Sequence, residues 1–229
     1  MKTIIRNATI VNEGRRFIGS VVIEDETIQQ VLEGDDSTQI YDTEIDATGL
    51  YLFPGVIDDH VHFREPGLTH KADIASESRT AAAGGVTSFM DMPNTNPPTT
   101  TIELLEEKFR IAEKNSRINY SFFFGASNEN TDALVKLDRQ RIPGVKVFMG
   151  SSTGNMLVDR EESLRTIFAT SPLLLMAHCE DTDIINQNIK DFKKRYKGQN
   201  DFPVRYHSRI RNTEACYASS SLAVQMAKE

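Results

Sequence analysis

The chain has 229 residues, of which 39% are hydrophobic and 26% charged, a composition typical of ordered globular proteins. Its formal net charge of −7 argues against a nucleic-acid or anionic-membrane surface, since both need a cationic footprint. An anionic small molecule is compatible with this charge, because a single local arginine can bind it. No apolar run approaches the roughly 20 residues of a transmembrane helix, and the N-terminus lacks a signal-peptide core. With only two cysteines, the sequence predicts a cytoplasmic protein without a disulfide framework.

Residues 1–50 predict a small β domain. β-branched runs at 4–11, 17–23 and 28–32 are separated by turn residues, and no helical pattern longer than two turns occurs there.

From residue 51 onwards, short apolar runs alternate with longer amphipathic stretches. The runs span 52–57, 86–90, 118–124, 145–149 and 173–177, and the clearest helical spacing is at 102–115, 131–141 and 160–170. Strands that are apolar throughout are typical of a parallel sheet buried on both faces. Repeated βα units therefore predict a TIM-type barrel or a doubly wound sheet. We count five units, whereas a closed barrel has eight, so the pattern stops partway.

The most informative segment is 53–67, which reads FPGVIDDHVHFREPG. His60 and His62 are two residues apart, so on a strand they face the same side. At the carboxyl end of a barrel strand, that side is the mouth of the active site. Neutral imidazoles are ligands for zinc and similar metals. Arg64 continues the same alternation along the chain, so its guanidinium could bind a carboxylate through two hydrogen bonds. A bare H-x-H also occurs by chance on solvated strands, but the flanking apolar run and Arg-Glu-Pro-Gly favour a site.

This segment resembles the signature of dihydroorotases, which are members of the amidohydrolase superfamily. The resemblance covers essentially the whole chain and implies an α/β fold, a (β/α)8 TIM-type metallo-dependent hydrolase barrel. It assigns residues 1–50 to part of a small β-sandwich domain and residues 51–229 to the first part of the barrel. The implied activity is the interconversion of N-carbamoyl-L-aspartate and L-dihydroorotate in de novo pyrimidine biosynthesis. Allantoinases tend to have another residue where Arg64 stands, and hydantoinases depart further.

Lys146 lies within the apolar run GVKVFM, where an ammonium group is costly and burial depresses the lysine pKa. A neutral amine can add carbon dioxide to become a carbamate. The resemblance implies that carboxylated Lys146 bridges two zinc ions, which are also held by His60, His62 and His178. From the residues alone, the alternatives are a Lys146 that snorkels to the barrel mouth or pairs with an acid, and a His178 that is satisfied within the core. Manganese or cobalt could replace zinc in such a ligand set.

Asn94 follows the second run of the barrel in the motif DMPN. The resemblance implies that it helps Arg64 to hold the substrate carboxylate, while the residues alone also suit a turn. The segment 207–214, with His207, Arg211 and Glu214, is interpreted as organising a loop near the site. The polar loop 151–155 is a further candidate border of the substrate.

The resemblance also implies a histidine ligand from the sixth barrel strand and an aspartate from the eighth that binds metal and shuttles protons. No histidine follows His207 and no aspartate follows Asp201, so that aspartate is expected beyond residue 229. We therefore expect a fragment of a chain about twice as long, and the resemblance supports family membership rather than activity of these residues alone. An allantoinase- or hydantoinase-type cyclic amidohydrolase and a non-catalytic amidohydrolase-like partner protein are the competing interpretations. Dihydroorotases are often dimers, so a homodimer is one possible oligomeric state of this chain.

Overall fold

The computed structural model describes residues 1–34, 39–150, 155–196 and 203–229. The chain divides into two compact units, Met1–Val56 and Ile57–Glu229. Most of the polar loop predicted at 151–155 lies outside the described residues, since only Asn155 is described.

The first unit is a five-stranded sheet. Its antiparallel part consists of β1 (Lys2–Asn12), β2 (Arg15–Glu24) and β3 (Thr27–Glu33), and two short strands, β4 (Thr43–Asp46) and β5 (Tyr51–Leu52), pair in parallel with β1. Adjacent residues of β2 are both buried, so the sheet packs apolar side chains into two small clusters: Ala8, Ile10, Val21 and Ala47 in one, and Ile4, Val22 and Tyr41 in the other. The three predicted strands are confirmed.

The second unit contains strands that follow one another in chain order and are parallel wherever their register is defined. They form two three-stranded sheets, made of β6 (Val56–Val61), β7 (Val86–Asp91) and β8 (Asn119–Phe122), and of β9 (Phe124–Gly125), β10 (Gly144–Phe148) and β11 (Leu174–His178). Only Phe123 separates β8 from β9, and its N–H donates to the Asp91 carbonyl at 3.0 Å. If β8 and β9 are counted as one interrupted strand, these strands correspond to the five predicted βα units, although β6 overlaps its predicted run only at residues 56–57.

Helices alternate with these strands. They are α1 (Ile74–Ala83), α2 (Ile102–Asn115), α3 (Glu161–Thr170), α4 (Thr182–Arg195), α5 (His207–Ile210) and α6 (Thr213–Lys228). Side chains of Asp73, Thr101, Asp181 and Asn212 accept backbone N–H groups in the first turns of α1, α2, α4 and α6, which explains where these helices begin. None of the helices in the described ranges has both the length and the hydropathy that crossing a bilayer requires.

Two local predictions are wrong. The run 52–57 is not one strand, because Pro54 and Gly55 interrupt it and Leu52 pairs with the first sheet. The stretch 131–141 forms a helix only at Thr131–Lys136, and that helix is of the 3-10 type. It ends at Leu137, whose backbone is extended, and a turn follows in which the Asp138 carboxylate accepts the Gln140 N–H at 2.9 Å.

Burial is uneven along the parallel strands. All five residues of β10 are buried, as predicted for a strand covered on both faces. The prediction fails for β6 and β11, where Ile57 is 62% exposed and Leu174 is 69% exposed. These two strands end their sheets and have one described neighbour each, so one side of each lacks a covering strand. The core of the unit therefore lies around β7 to β10.

Candidate metal and substrate site

Two imidazoles lie side by side at the end of β6. His60 is in the strand, and His62 follows directly after its last residue, Val61. Their ring centroids are 5.3 Å apart. His60 is exposed, whereas His62 is half-buried. The end of β6 thus brings two imidazole nitrogen ligands close to each other.

Asn94, in the loop after β7, fixes the ring of His62. Its Oδ1 lies 2.8 Å from His62 Nδ1. An amide oxygen only accepts hydrogen bonds, so Nδ1 carries the proton and Nε2 is left as the basic nitrogen. Burial lowers the pKa of His62, and the hydrogen bond to Asn94 opposes this without cancelling it. A neutral imidazole with a defined tautomer is the form that binds a metal.

Arg64 stands in a turn and not on the strand. Since β6 ends at Val61, the alternation argument for its direction does not apply. Its φ is +67°, a left-handed conformation that costs a non-glycine residue on the order of 1 kcal/mol. The turn is secured by the N–H of Leu68, which donates to the Arg64 carbonyl at 3.0 Å, and by the Glu65 carboxylate, which accepts the Ile74 N–H at 2.9 Å. The guanidinium therefore projects from a backbone segment anchored to α1.

Lys146 is in the middle of β10 and is 4% exposed. Burial lowers its pKa, and an interaction with Cys179 only partly opposes that effect. The ammonium nitrogen lies 5.2 Å from the centroid of the Phe148 ring. A lysine that snorkels into solvent would be far more exposed, and the burial of Lys146 shifts its amine towards the neutral form.

His178 ends β11 and is aligned with Phe148 of β10. Its Nε2 lies 2.8 Å from Glu180 Oε2, and the same oxygen accepts a hydrogen bond from Arg211 Nη1. Burial tends to raise the pKa of Glu180, but the hydrogen bonds from His178 and Arg211 and the charge of Arg211 outweigh it, so the net pKa is lowered. An ionised Glu180 therefore holds the Nε2–H tautomer of His178 and leaves Nδ1 as the basic nitrogen. Arg211 comes from the segment interpreted as an organiser of the site.

The structure joins these residues in pairs. His60 lies beside His62, His62 contacts Asn94, and His178 is on the strand next to that of Lys146. Across the described ranges, no three His, Cys, Asp or Glu side chains gather as a metal-binding group. The chemistry of the donors nevertheless fits zinc: three imidazoles, two of them with a set tautomer, and a buried lysine amine held towards neutrality.

Three charged residues of this region were missed by sequence reasoning. Glu180 orients His178, and Asp91 and Lys108 form a fully buried ion pair behind Asn94. The sequence did contain a signal for the pair. Asp91 has the same parity as the buried Phe89 on β7, and Lys108 follows Leu105 by three residues on the buried face of α2.

The sequence profile described as "Amidohydrolase family" matches residues 51–200. The chain belongs to the amidohydrolase family. Among the relatives of this amidohydrolase chain is the dihydroorotase of Lactobacillus acidophilus, with 31% identity over 210 residues, which covers 89% of this chain and 47% of the relative. The allantoinase of Deinococcus radiodurans is 44% identical over 109 residues, covering 47% of this chain and 24% of the relative.

A solved L-hydantoinase (dihydropyrimidinase) from Arthrobacter aurescens superimposes with a TM-score of 0.89 at 25% identity. The match covers 99% of this chain and 50% of that one. The amidohydrolase chain thus spans about half the length of the relatives it matches. These likenesses confirm the predicted resemblance to dihydroorotases and the α/β fold of a partial amidohydrolase barrel.

Proposed function

We propose that this chain supplies the N-terminal part of a zinc-dependent dihydroorotase of pyrimidine biosynthesis. The observation that carries the proposal is the strand end of β6, where paired His60 and His62 are followed by Arg64 and where His62 is fixed by Asn94. The dihydroorotase relatives, which match most of the chain, support it. The reaction breaks the ring amide bond of L-dihydroorotate with water to give N-carbamoyl-L-aspartate, and the reverse closes the ring.

His60, His62, His178 and Lys146 would hold two zinc ions, with Lys146 as its carbamate. When bound, zinc supplies Lewis-acid polarisation of the amide carbonyl and lowers the pKa of water towards neutrality. Residues of the chain favour the metal-binding forms of these ligands. Asn94 and Glu180 set the tautomers of two imidazoles, and burial favours the neutral amine of Lys146, which alone can form an N–C bond to carbon dioxide with loss of a proton.

Arg64 and Asn94 would bind the substrate carboxylate. Because Asn94 Oδ1 is engaged by His62, its amide NH2 group remains as a donor to a carboxylate oxygen. The guanidinium of Arg64 offers a bidentate partner from the anchored turn. Holding the carboxylate on the loops that also hold His62 would place the ring amide next to the metal ligands.

An allantoinase- or hydantoinase-type activity is the second candidate. The local identity of 44% to the D. radiodurans allantoinase favours it, as does the likeness to L-hydantoinase. Arg64 separates the candidates, because a substrate carboxylate needs a cationic partner and a neutral ring does not.

The test combines zinc titration by calorimetry with turnover of L-dihydroorotate, allantoin and hydantoin on one preparation. We expect zinc binding that is lost in His60→Ala/His62→Ala, and dihydroorotate recognition that weakens in Arg64→Met. If turnover is absent, equilibrium binding of dihydroorotate to the two Arg64 forms gives the same comparison. Equal zinc binding by the double variant would refute the metal site. Preference for allantoin or hydantoin, unchanged by Arg64→Met, would favour the second candidate.

A further inference from the structure

A fully buried ion pair lies behind the candidate site. Lys108 of α2 and Asp91 of β7 are both 0% exposed, and Lys108 Nζ lies 2.5 Å from Asp91 Oδ2. Taking two charges out of water is costly, and well-packed apolar residues often stabilise a core equally well or better. A role in packing alone therefore accounts poorly for this pair.

The ammonium group of Lys108 has three partners. Besides Asp91, it donates to the Met92 carbonyl at 2.8 Å and lies 4.9 Å from the centroid of the Phe122 ring. Burial lowers the pKa of Lys108, and the charge of Asp91 opposes this. The Met92 carbonyl belongs to the segment that leads into Asn94, so Lys108 fixes the start of that loop from the side of α2.

The second oxygen of Asp91 fixes the neighbouring loop. Asp91 Oδ1 accepts the N–H of Phe63 at 2.8 Å, and Phe63 directly follows His62. The Met92 N–H donates to the Val61 carbonyl at 3.0 Å, on the other side of His62. The backbone is thus tied to the Asp91–Met92 segment both before and after His62.

We propose that Asp91 and Lys108 are positioning residues for the candidate site: together they hold the loops of His62 and Asn94 in the register that lets His62 Nδ1 meet Asn94 Oδ1. Neither residue hydrogen-bonds to the side chain of a proposed zinc or substrate ligand. Both hold the loops through backbone groups, and the charge of Asp91 also acts on His62 through space. The consequence for metal binding rests on the proposed function. The consequence for the two loops does not, since it concerns the chain itself.

The experiment compares two double variants with a control. Asp91→Leu/Lys108→Met removes both charges and both ties. Asp91→Asn/Lys108→Met keeps an acceptor for the Phe63 N–H and removes only the tie to Met92. Leu105→Ala is the control, because it disturbs the buried face of α2 next to Lys108 without removing either tie. Amide exchange is followed by NMR at Phe63 and at Thr95, whose N–H donates to the Pro93 carbonyl at 2.9 Å within the Asn94 loop. The His62 ring signals are recorded on the same samples, and zinc binding by each protein is then measured by calorimetry.

For Asp91→Leu/Lys108→Met we expect the amide exchange rate at Phe63 to rise by at least about 10-fold more than the variant's change in global stability accounts for. The His62 ring signal should shift, and adding Asn94→Ala to this variant should not shift it further. Zinc affinity should fall about 10- to 100-fold, as for other losses of ligand orientation. Asp91→Asn/Lys108→Met should retain protection from amide exchange at Phe63 and lose it at Thr95. If Asp91→Leu/Lys108→Met does not fold, this second variant alone tests the positioning role.

Unchanged protection at these amides in both double variants would overturn the proposal, as would an equal loss in Leu105→Ala. If the unaltered chain binds no zinc while the NMR results are as expected, the proposed function fails and the positioning role stands.

Discussion

Two buried lysines are accommodated in different ways in this amidohydrolase chain. Burial lowers the pKa of both, but Lys108 is paired with the buried carboxylate of Asp91, whereas only an interaction with Cys179 opposes the effect of burial at Lys146. The unfolded chain keeps the Lys146 proton up to about pH 10.4. Between the lowered folded pKa and that value, unfolding takes up a proton, so the free energy of unfolding rises with pH.

Lys146→Met should therefore be more stable than the unaltered chain at pH 7, by about 1 kcal/mol, because it removes the cost of burying the amine. The advantage should shrink as the pH approaches 10. Urea unfolding of both proteins at pH 7 and pH 10, in buffer free of carbon dioxide, measures the difference. A stability difference that does not change with pH would contradict the assignment of a lowered pKa.

Glu180 gives a pH dependence of the same sign in a lower pH range, but here the charged form stabilises the folded chain. Its folded pKa is lowered from the ordinary value of 4.5, so its ionised form stabilises the folded chain above that pH and the contribution is lost as the pH falls through the folded pKa. Glu180→Gln should cost on the order of 1 kcal/mol at pH 6 and much less near pH 3. Urea unfolding at both values measures this. Glu161→Gln is the control, since the pair of Glu161 with Arg165 is exposed and should contribute little at either pH.

At the scale of residues, the sequence predicted which residues belong to the candidate site better than it predicted where their side chains point. The spacing of His60 and His62 was enough to expect neighbouring rings, because a strand alternates regularly. Arg64 could not be oriented in the same way, since its left-handed backbone depends on the turn after β6. Glu180 was not predicted because its partner Arg211 is 31 residues away in sequence.

At the scale of elements, strong periodicity located the strands and α2 but not the points where the chain leaves them. α2 coincides with the predicted stretch 102–115. The loops after β6 and β7, which carry His62, Arg64 and Asn94, depend on contacts between them that no local pattern encodes. One such contact is the N–H of Asn96, which donates to the Pro66 carbonyl at 3.1 Å.

Gly67 shows how closely these loops approach. Its φ is +79°, and a Cβ there would lie 1.8 Å from the Asn96 carbonyl oxygen. Gly67→Ala should therefore destabilise the chain by about 2–4 kcal/mol through clash and backbone strain together. Gly85 is the matched control, because its φ is +87° but no atom of the residues that the structure describes lies within 4 Å of its added Cβ. Gly85→Ala should cost only about 1 kcal/mol of strain. Urea unfolding of both variants measures the difference, and equal costs would mean that the loops do not pack this closely.

At the scale of the whole molecule, the sequence predicted five βα units, because apolar runs and amphipathic stretches alternate with a regular spacing. It did not predict which strands would be covered. β10, which lies between β9 and β11, is buried throughout, whereas Ile57 of β6 and Leu174 of β11 are exposed with the same kind of apolar sequence. Two flanking strands are not sufficient, since β7 lies between β6 and β8 and still exposes Thr87. Burial depends on the elements that cover each face of a strand, which the sequence of that strand does not specify.

Exposed apolar residues on terminal strands promote association between chains through edge pairing. We expect Ile57→Lys/Leu174→Lys to reduce the self-association of this chain, because a charge on each terminal strand opposes such pairing without disturbing a buried contact. Light scattering and sedimentation as a function of concentration measure the effect. The control is Val135→Lys, since Val135 is 62% exposed but lies in the 3-10 helix Thr131–Lys136 and not on a strand. If the control reduces association equally, general solubility and not the strand edges is responsible. If neither variant changes it, β6 and β11 are not the surfaces through which chains associate.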